Sequence, residues 1–140
     1  VYNQVLTVDP ANGLALIGIA RVHLEMLQPA SAKKILDSFI PNRDNMRAYL
    51  MTYSSYHQTV GEYTEAKHIY KALLSRNPGD NDVRYALGRL YDYTKEWEKA
   101  KAEFAKIPAN DKNARRARLW FGMALFHQRK FAEAAQVGDV

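Results

Sequence analysis

Residues 81–108 read NDVRYALGRLYDYTKEWEKAKAEFAKIP, and two apolar stripes run through them. Val83, Leu87, Leu90 and Tyr91 recur at i, i+4, i+7 and i+8, the pattern of a helix with one buried face. After Thr94-Lys95-Glu96 a second stripe opens with Trp97 and continues through Ala100, Phe104 and Ile107. Pro108 closes it, because proline biases the preceding residue away from helix. The stretch predicts two short helices folded back on each other.

The same arrangement repeats along the chain. Ala32, Ala66, Ala100 and Ala134 stand 34 residues apart without a gap. Three residues before each alanine come Pro29, Tyr63, Trp97 and Phe131, and four after come Leu36, Tyr70 and Phe104. Twelve before come Ala20, Ser54, Gly88 and Gly122, all small, each following a large residue. Hairpin helices pack closely where one offers a small residue for a large neighbour to enter. One hairpin cannot cover its own apolar face, so successive hairpins must stack. The expected fold is all-α: a solenoid of antiparallel helix hairpins with about 3.5–4 repeats. The repeats fall at 13–46, 47–80 and 81–114, with the end of a preceding second helix at 1–12 and a truncated repeat at 115–140. This organisation reads as one domain cut from a longer array.

Composition narrows the function. The chain has 140 residues and no cysteine, which excludes disulfides, thiolate zinc sites and cysteine nucleophiles. Its longest apolar run, about Gly13 to Ala20, is far short of a membrane span. The net charge is +5 and lies unevenly. Residues 1–80 carry 8 Lys/Arg against 7 Asp/Glu, whereas residues 81–130 carry 12 against 6, so an acidic partner is expected on the second half. Arg115, Arg116 and Arg118 crowd the start of a helix, where positive charge is locally unfavourable.

Leu87-Gly88-x-x-Tyr91, Ala100 and Phe104, together with Tyr63, Ala66, Tyr70 and Pro78, resemble the tetratricopeptide repeat signature. The resemblance extends over essentially the whole chain and implies that the solenoid winds as a right-handed superhelix. Two departures stand out. The early aromatic of the first helix is replaced by Leu16, Leu50, Arg84 and Arg118. The turn glycine survives only as Gly61, with Leu27, Lys95 and Arg129 at the other turns. A non-glycine residue held left-handed there costs roughly 1 kcal/mol.

No catalytic constellation emerges. His23 and His57 share a column, but spacing supplies no third or fourth metal ligand. There is no glycine-rich phosphate loop, nucleophile elbow or metalloprotease helix motif. Glu62, Glu65, Glu96, Glu98 and Glu133 sit where carboxylates complement a helix dipole. The expectation is a non-enzyme without metal or cofactor.

What the resemblance implies is binding in a concave groove lined by first helices. It places Leu14, Ile17, Arg21 and Leu24 there, then Met51, Ser55 and Gln58, then Asp82, Tyr85, Arg89 and Tyr93. The last repeat adds Arg116, Leu119, Trp120, Met123, Phe126 and His127. Tyr, Trp and Arg anchor interfaces, so Arg21, Tyr85, Arg89, Tyr93, Arg116, Trp120 and His127 are the candidate partner-binding residues. Family members that clamp a chaperone's C-terminal carboxylate need Lys and Asn at set groove positions. The matching residues here are Ile17, Arg21, Thr52, Asp82 and Ala86, which do not build that clamp. A protein or peptide partner with acidic groups is expected. Nucleic acid held by the basic 81–130 region is the alternative class. Val1–Gly18 and Ala105–Asp111 also resemble periplasmic repeat domains of bacterial exopolysaccharide (cellulose-type) exporters. That likeness implies a periplasmic rather than cytoplasmic setting, and a polymer whose sugars would stack on Tyr and Trp faces.

Overall fold

The second helix of each hairpin starts on the beat of the sequence period: at Pro29, at Tyr63 and at Trp97. The computed structural model describes residues 6–7 and 10–138. The chain divides into two compact units, Val1–Ile69 and Tyr70–Val140. In the first lie β1 (Leu6–Thr7), α1 (Pro10–Glu25), α2 (Pro29–Leu36), β2 (Phe39–Ile40) and α3 (Met46–Thr59). Helix α4 (Tyr63–Arg76) starts in the first unit and ends in the second, which then holds α5 (Asn81–Tyr93), α6 (Trp97–Ala105) and α7 (Ala114–Gly138). The fold is the all-α helical-hairpin repeat that the period predicts.

The inter-helix turns are built alike. Leu27, Gly61 and Lys95 all have positive φ, at 58°, 83° and 66°. At each turn the next amide reaches back five residues: Gln28 N to His23 O, Glu62 N to His57 O and Glu96 N to Tyr91 O, at 2.7–2.8 Å. The left-handed residue itself donates to the carbonyl three residues back. This pair of bonds satisfies carbonyls that the ending helix would leave open. It holds leucine and lysine in a conformation that glycine adopts without strain.

The small-residue column is a packing column. In the second unit a Cβ on Gly88 would lie 2.6 Å from Phe104 Cε1, so only glycine lets α6 approach α5 this closely. In the first unit Ala20, Ala32 and Leu36 are fully buried with Phe39, and Tyr49, Tyr53 and Tyr56 pack against that cluster. Ser54 is buried and donates to Ala66 O at 3.2 Å.

Proline sets helix length. Helix α4 has 14 residues before Asn77-Pro78, whereas α2 has 8 and α6 has 9, because Pro41 and Pro108 arrive earlier in their repeats. Phe39 and Ile107 therefore fall beyond their helices, yet both stay buried.

Three expectations need correction. The helix tail expected at 1–12 does not form where it can be seen: Leu6–Thr7 pair in parallel with Phe39–Ile40, and α1 begins at Pro10. Residues 1–5 lie outside the described residues. The turn expected at Arg129 is absent, and α7 runs unbroken through it for 25 residues. The column explains why. The residue that would take Phe104's place in a fourth hairpin is Gly138, so folding back would bury little. Continuing the helix through Ala132, Ala134 and Ala135 keeps every backbone bond without a left-handed residue. Ala134 is accordingly exposed, unlike its three counterparts. Last, Ile17 (2% exposed) and Leu24 belong to the core of the first unit and line no groove.

Candidate interaction face

The face is assembled in the second unit, where α5 and α7 exchange aromatic and cationic partners. Tyr85, Arg89 and Tyr93 follow one another at i, i+4 and i+8 along α5, so they point the same way. The Arg116 guanidinium of α7 lies 4.9 Å from the Tyr85 ring centroid. The Arg89 guanidinium of α5 lies 4.4 Å from the Trp120 ring centroid. Each helix thus gives one arginine and takes one with an aromatic ring. Tyr93 is 69% exposed.

A polar chain fixes the N-terminal end of this ladder. Arg116 donates to Asn113 Oδ1 at 2.8 Å, and buried Asn113 donates from Nδ2 to Asp82 Oδ1 at 2.7 Å. Lys112 Nζ stands 3.4 Å from the other Asp82 oxygen. Asp111 accepts from the Asn113 amide at 2.8 Å and from Asn81 Nδ2 at 2.9 Å. Those bonds, the backbone one first, hold its carboxyl below the usual carboxylate range. The basic start of α7 is thereby partly compensated. Arg115 and Arg118 are exposed and have no ion pair among the described residues.

At the other end, His127 Nδ1 meets Asp92 Oδ1 at 3.1 Å, and the Asp92 side chain is only 6% exposed. The pair borders an open cavity of about 360 Å³ shared with Tyr93, Lys95, Trp97, Lys130 and Phe131. The Trp97 and Phe131 rings stand 5.3 Å apart, and Trp97 Nε1 is buried with no hydrogen-bond partner among the described residues.

Of the seven residues expected from sequence, Tyr85, Arg89, Arg116 and Trp120 touch one another in two pairs. Tyr93 and His127 border the adjoining cavity. Arg21 is exposed on α1 in the other unit. Sequence reasoning missed Asp92, Lys95 and Trp97. Asp92 lies on the opposite side of α5 from the stripe of Val83, Leu87, Leu90 and Tyr91, so helical spacing carried no signal for its burial. Arg84 pairs with Glu103 at 2.7 Å and donates to Pro78 O.

The histidine column is structural. His23 Nδ1 shares a hydrogen bond with Gln28 Oε1 at 2.8 Å, and His57 Nδ1 with Glu62 Oε1 at 2.7 Å, each across its own turn. Among the described residues, no three His, Asp or Glu side chains gather as metal ligands. No described helix is long and apolar enough to cross a membrane.

No curated protein and no solved structure matches the chain. Residues 59–119, from the end of α3 into α7, match the tetratricopeptide repeat family model, which supports the resemblance carried by the 34-residue period.

Proposed function

We propose that this chain is a non-catalytic interaction scaffold that holds an acidic protein or peptide segment on the α5–α7 face. The observation that carries the reading is the crossed pairing of Arg89 with Trp120 and Arg116 with Tyr85 beside exposed Tyr93. Stacked guanidinium groups keep their edge donors for carboxylates while the rings cover their faces. Tyr, Trp and Arg also dominate binding energy at interfaces. Tetratricopeptide repeats generally mediate contacts between proteins, and the matched segment contains Tyr85, Arg89 and Arg116 and ends one residue before Trp120. A bacterial exopolysaccharide export complex in the periplasm is the proposed setting. It rests on the likeness of Val1–Gly18 and Ala105–Asp111 alone.

The test is capture of partners by the wild-type chain and by Arg89→Ala and Tyr93→Ala variants at about 50 and 200 mM salt. The reading expects a protein retained at both concentrations and lost with either variant. Retention of nucleic acid that vanishes at the higher salt would favour the alternative class instead.

A further inference from the structure

Helix α7 presents, uncovered, the face with which α5 holds α6. Advancing 34 residues maps Arg84, Tyr85, Leu87, Gly88 and Tyr91 of α5 onto Arg118, Leu119, Phe121, Gly122 and Leu125 of α7. On α5 these residues receive α6. The Phe104 ring stands against Gly88 and 6.1 Å from the Tyr85 ring, while Glu103 pairs with Arg84 at 2.7 Å. On α7 a Cβ built on Gly122 meets nothing within 4 Å. Leu119 is 62% exposed, Phe121 and Leu125 are exposed, and Arg118 has no ion pair among the described residues. A cavity of about 480 Å³ opens beside Gly122, lined by Leu125, Phe126, Arg129, Lys130 and Glu133. This side of α7 is not the one that meets α5, since Arg116, Trp120 and His127 make those contacts.

We infer that the Arg118–Gly122 face of α7 docks an amphipathic helix from a partner protein that carries a carboxylate followed directly by an aromatic residue. The aromatic ring enters over Gly122 beside Leu119, as Phe104 does at Gly88. The preceding carboxylate pairs with Arg118, as Glu103 does with Arg84. The chain's own residues in that register are Val137 and Gly138, which supply neither group. A second copy offers its Glu103-Phe104 only by giving up its own α5–α6 packing. Charge points the same way, because Arg115, Arg118, Arg129 and Lys130 surround the apolar centre, with Glu133 the sole acid on this face among the described residues.

The probe is a fluorescein-labelled peptide of residues 94–108, which holds Glu103-Phe104 in the spacing that fits Gly88. It is titrated into the full chain with anisotropy as the readout. Saturable binding is expected, weakened at least about tenfold by Gly122→Leu and by Arg118→Glu. Peptide carrying Glu103→Lys should recover binding to the Arg118→Glu chain. Arg89→Ala should leave affinity unchanged, which separates this face from the α5–α7 face. Circular dichroism checks that both α7 variants stay helical. Absence of saturable binding, or binding indifferent to Gly122→Leu and Arg118→Glu, overturns the inference. So does equal weakening by Arg89→Ala, or self-association of the chain that Gly122→Leu abolishes.

Discussion

Leu27 and Lys95, two periods apart in sequence, hold the same left-handed backbone, with φ of 58° and 66°. Both side chains are exposed, and Lys95 Nζ stands 5.9 Å from the Phe131 ring centroid. Leu27→Gly and Lys95→Gly should each stabilise the chain by about 1 kcal/mol, because glycine takes this conformation without a Cβ clash. Arg129→Gly should instead cost up to about 1 kcal/mol, because Arg129 is ordinary helix. Urea titration of the three variants checks this. Stabilisation by Arg129→Gly would mean that α7 bends at that residue in solution.

Gly88 and Gly122 should respond oppositely to the same substitution. Gly88→Ala pushes a Cβ into the Phe104 ring and should cost about 1–3 kcal/mol. Gly122→Ala meets open space inside a helix and should be neutral or stabilising by up to about 1 kcal/mol. Thermal melts followed at 222 nm read both changes, and equal losses would remove the packing argument for the small column.

The Arg84–Glu103 pair is largely buried between α5 and α6. Removing only Arg84 leaves a poorly solvated carboxylate, so Arg84→Ala should cost about 2–3 kcal/mol. Replacing both partners by apolar residues should cost less than either single change. A double-mutant cycle by denaturation measures the difference.

Alkali should loosen the first unit around Tyr53. Burial, with the hydrogen bond to Asp37, pushes the Tyr53 hydroxyl up to about 12, above its ordinary value near 10. A group that holds its proton more tightly when folded stabilises fully below the unfolded value, and that stability is lost as pH rises toward the folded one. The loss should therefore fall between about pH 10 and 12 and be reduced in Tyr53→Phe. At the acid end, burial pushes the Asp37 carboxyl up, but hydrogen bonds from Lys33 and Tyr53 outweigh it and hold the group low. Its contribution is present above the ordinary carboxylate value and fades as pH falls below about 4. Far-ultraviolet dichroism against pH, wild type beside Tyr53→Phe, tests both ends.

The sequence made the hairpins legible because their determinants are local. Tyr63 and Trp97 begin second helices, Ala32, Ala66 and Ala100 are buried, and the non-glycine turns keep the glycine geometry. Helix ends were less legible, since Pro41 and Pro108 shift against the period while Phe39 and Ile107 keep their buried places. The unbroken α7 was misread because a turn needs a reason to fold back, and that reason is the aromatic missing at Gly138. In the candidate face, Tyr85, Arg89, Arg116 and Trp120 followed from helical spacing and the repeat shift. The Asp92–His127 contact joins two helices 35 residues apart in sequence, one step off the period, so no column announces it.

The central claim, that Arg89 presents a donor edge to an acidic partner, is tested most directly by isothermal titration of a captured partner with the wild-type, Arg89→Ala and Arg43→Ala chains. Arg43 lies exposed between β2 and α3 in the other unit and serves as the control. Arg89→Ala should weaken binding by about 1.5–3 kcal/mol, the value of a hydrogen bond to a charged group. Losing the stack on Trp120 should lower the chain's own stability by only about 0.5–1 kcal/mol. Arg43→Ala should bind as the wild type does. Equal affinities for the wild-type and Arg89→Ala chains would contradict the account and move the binding site off the α5–α7 face.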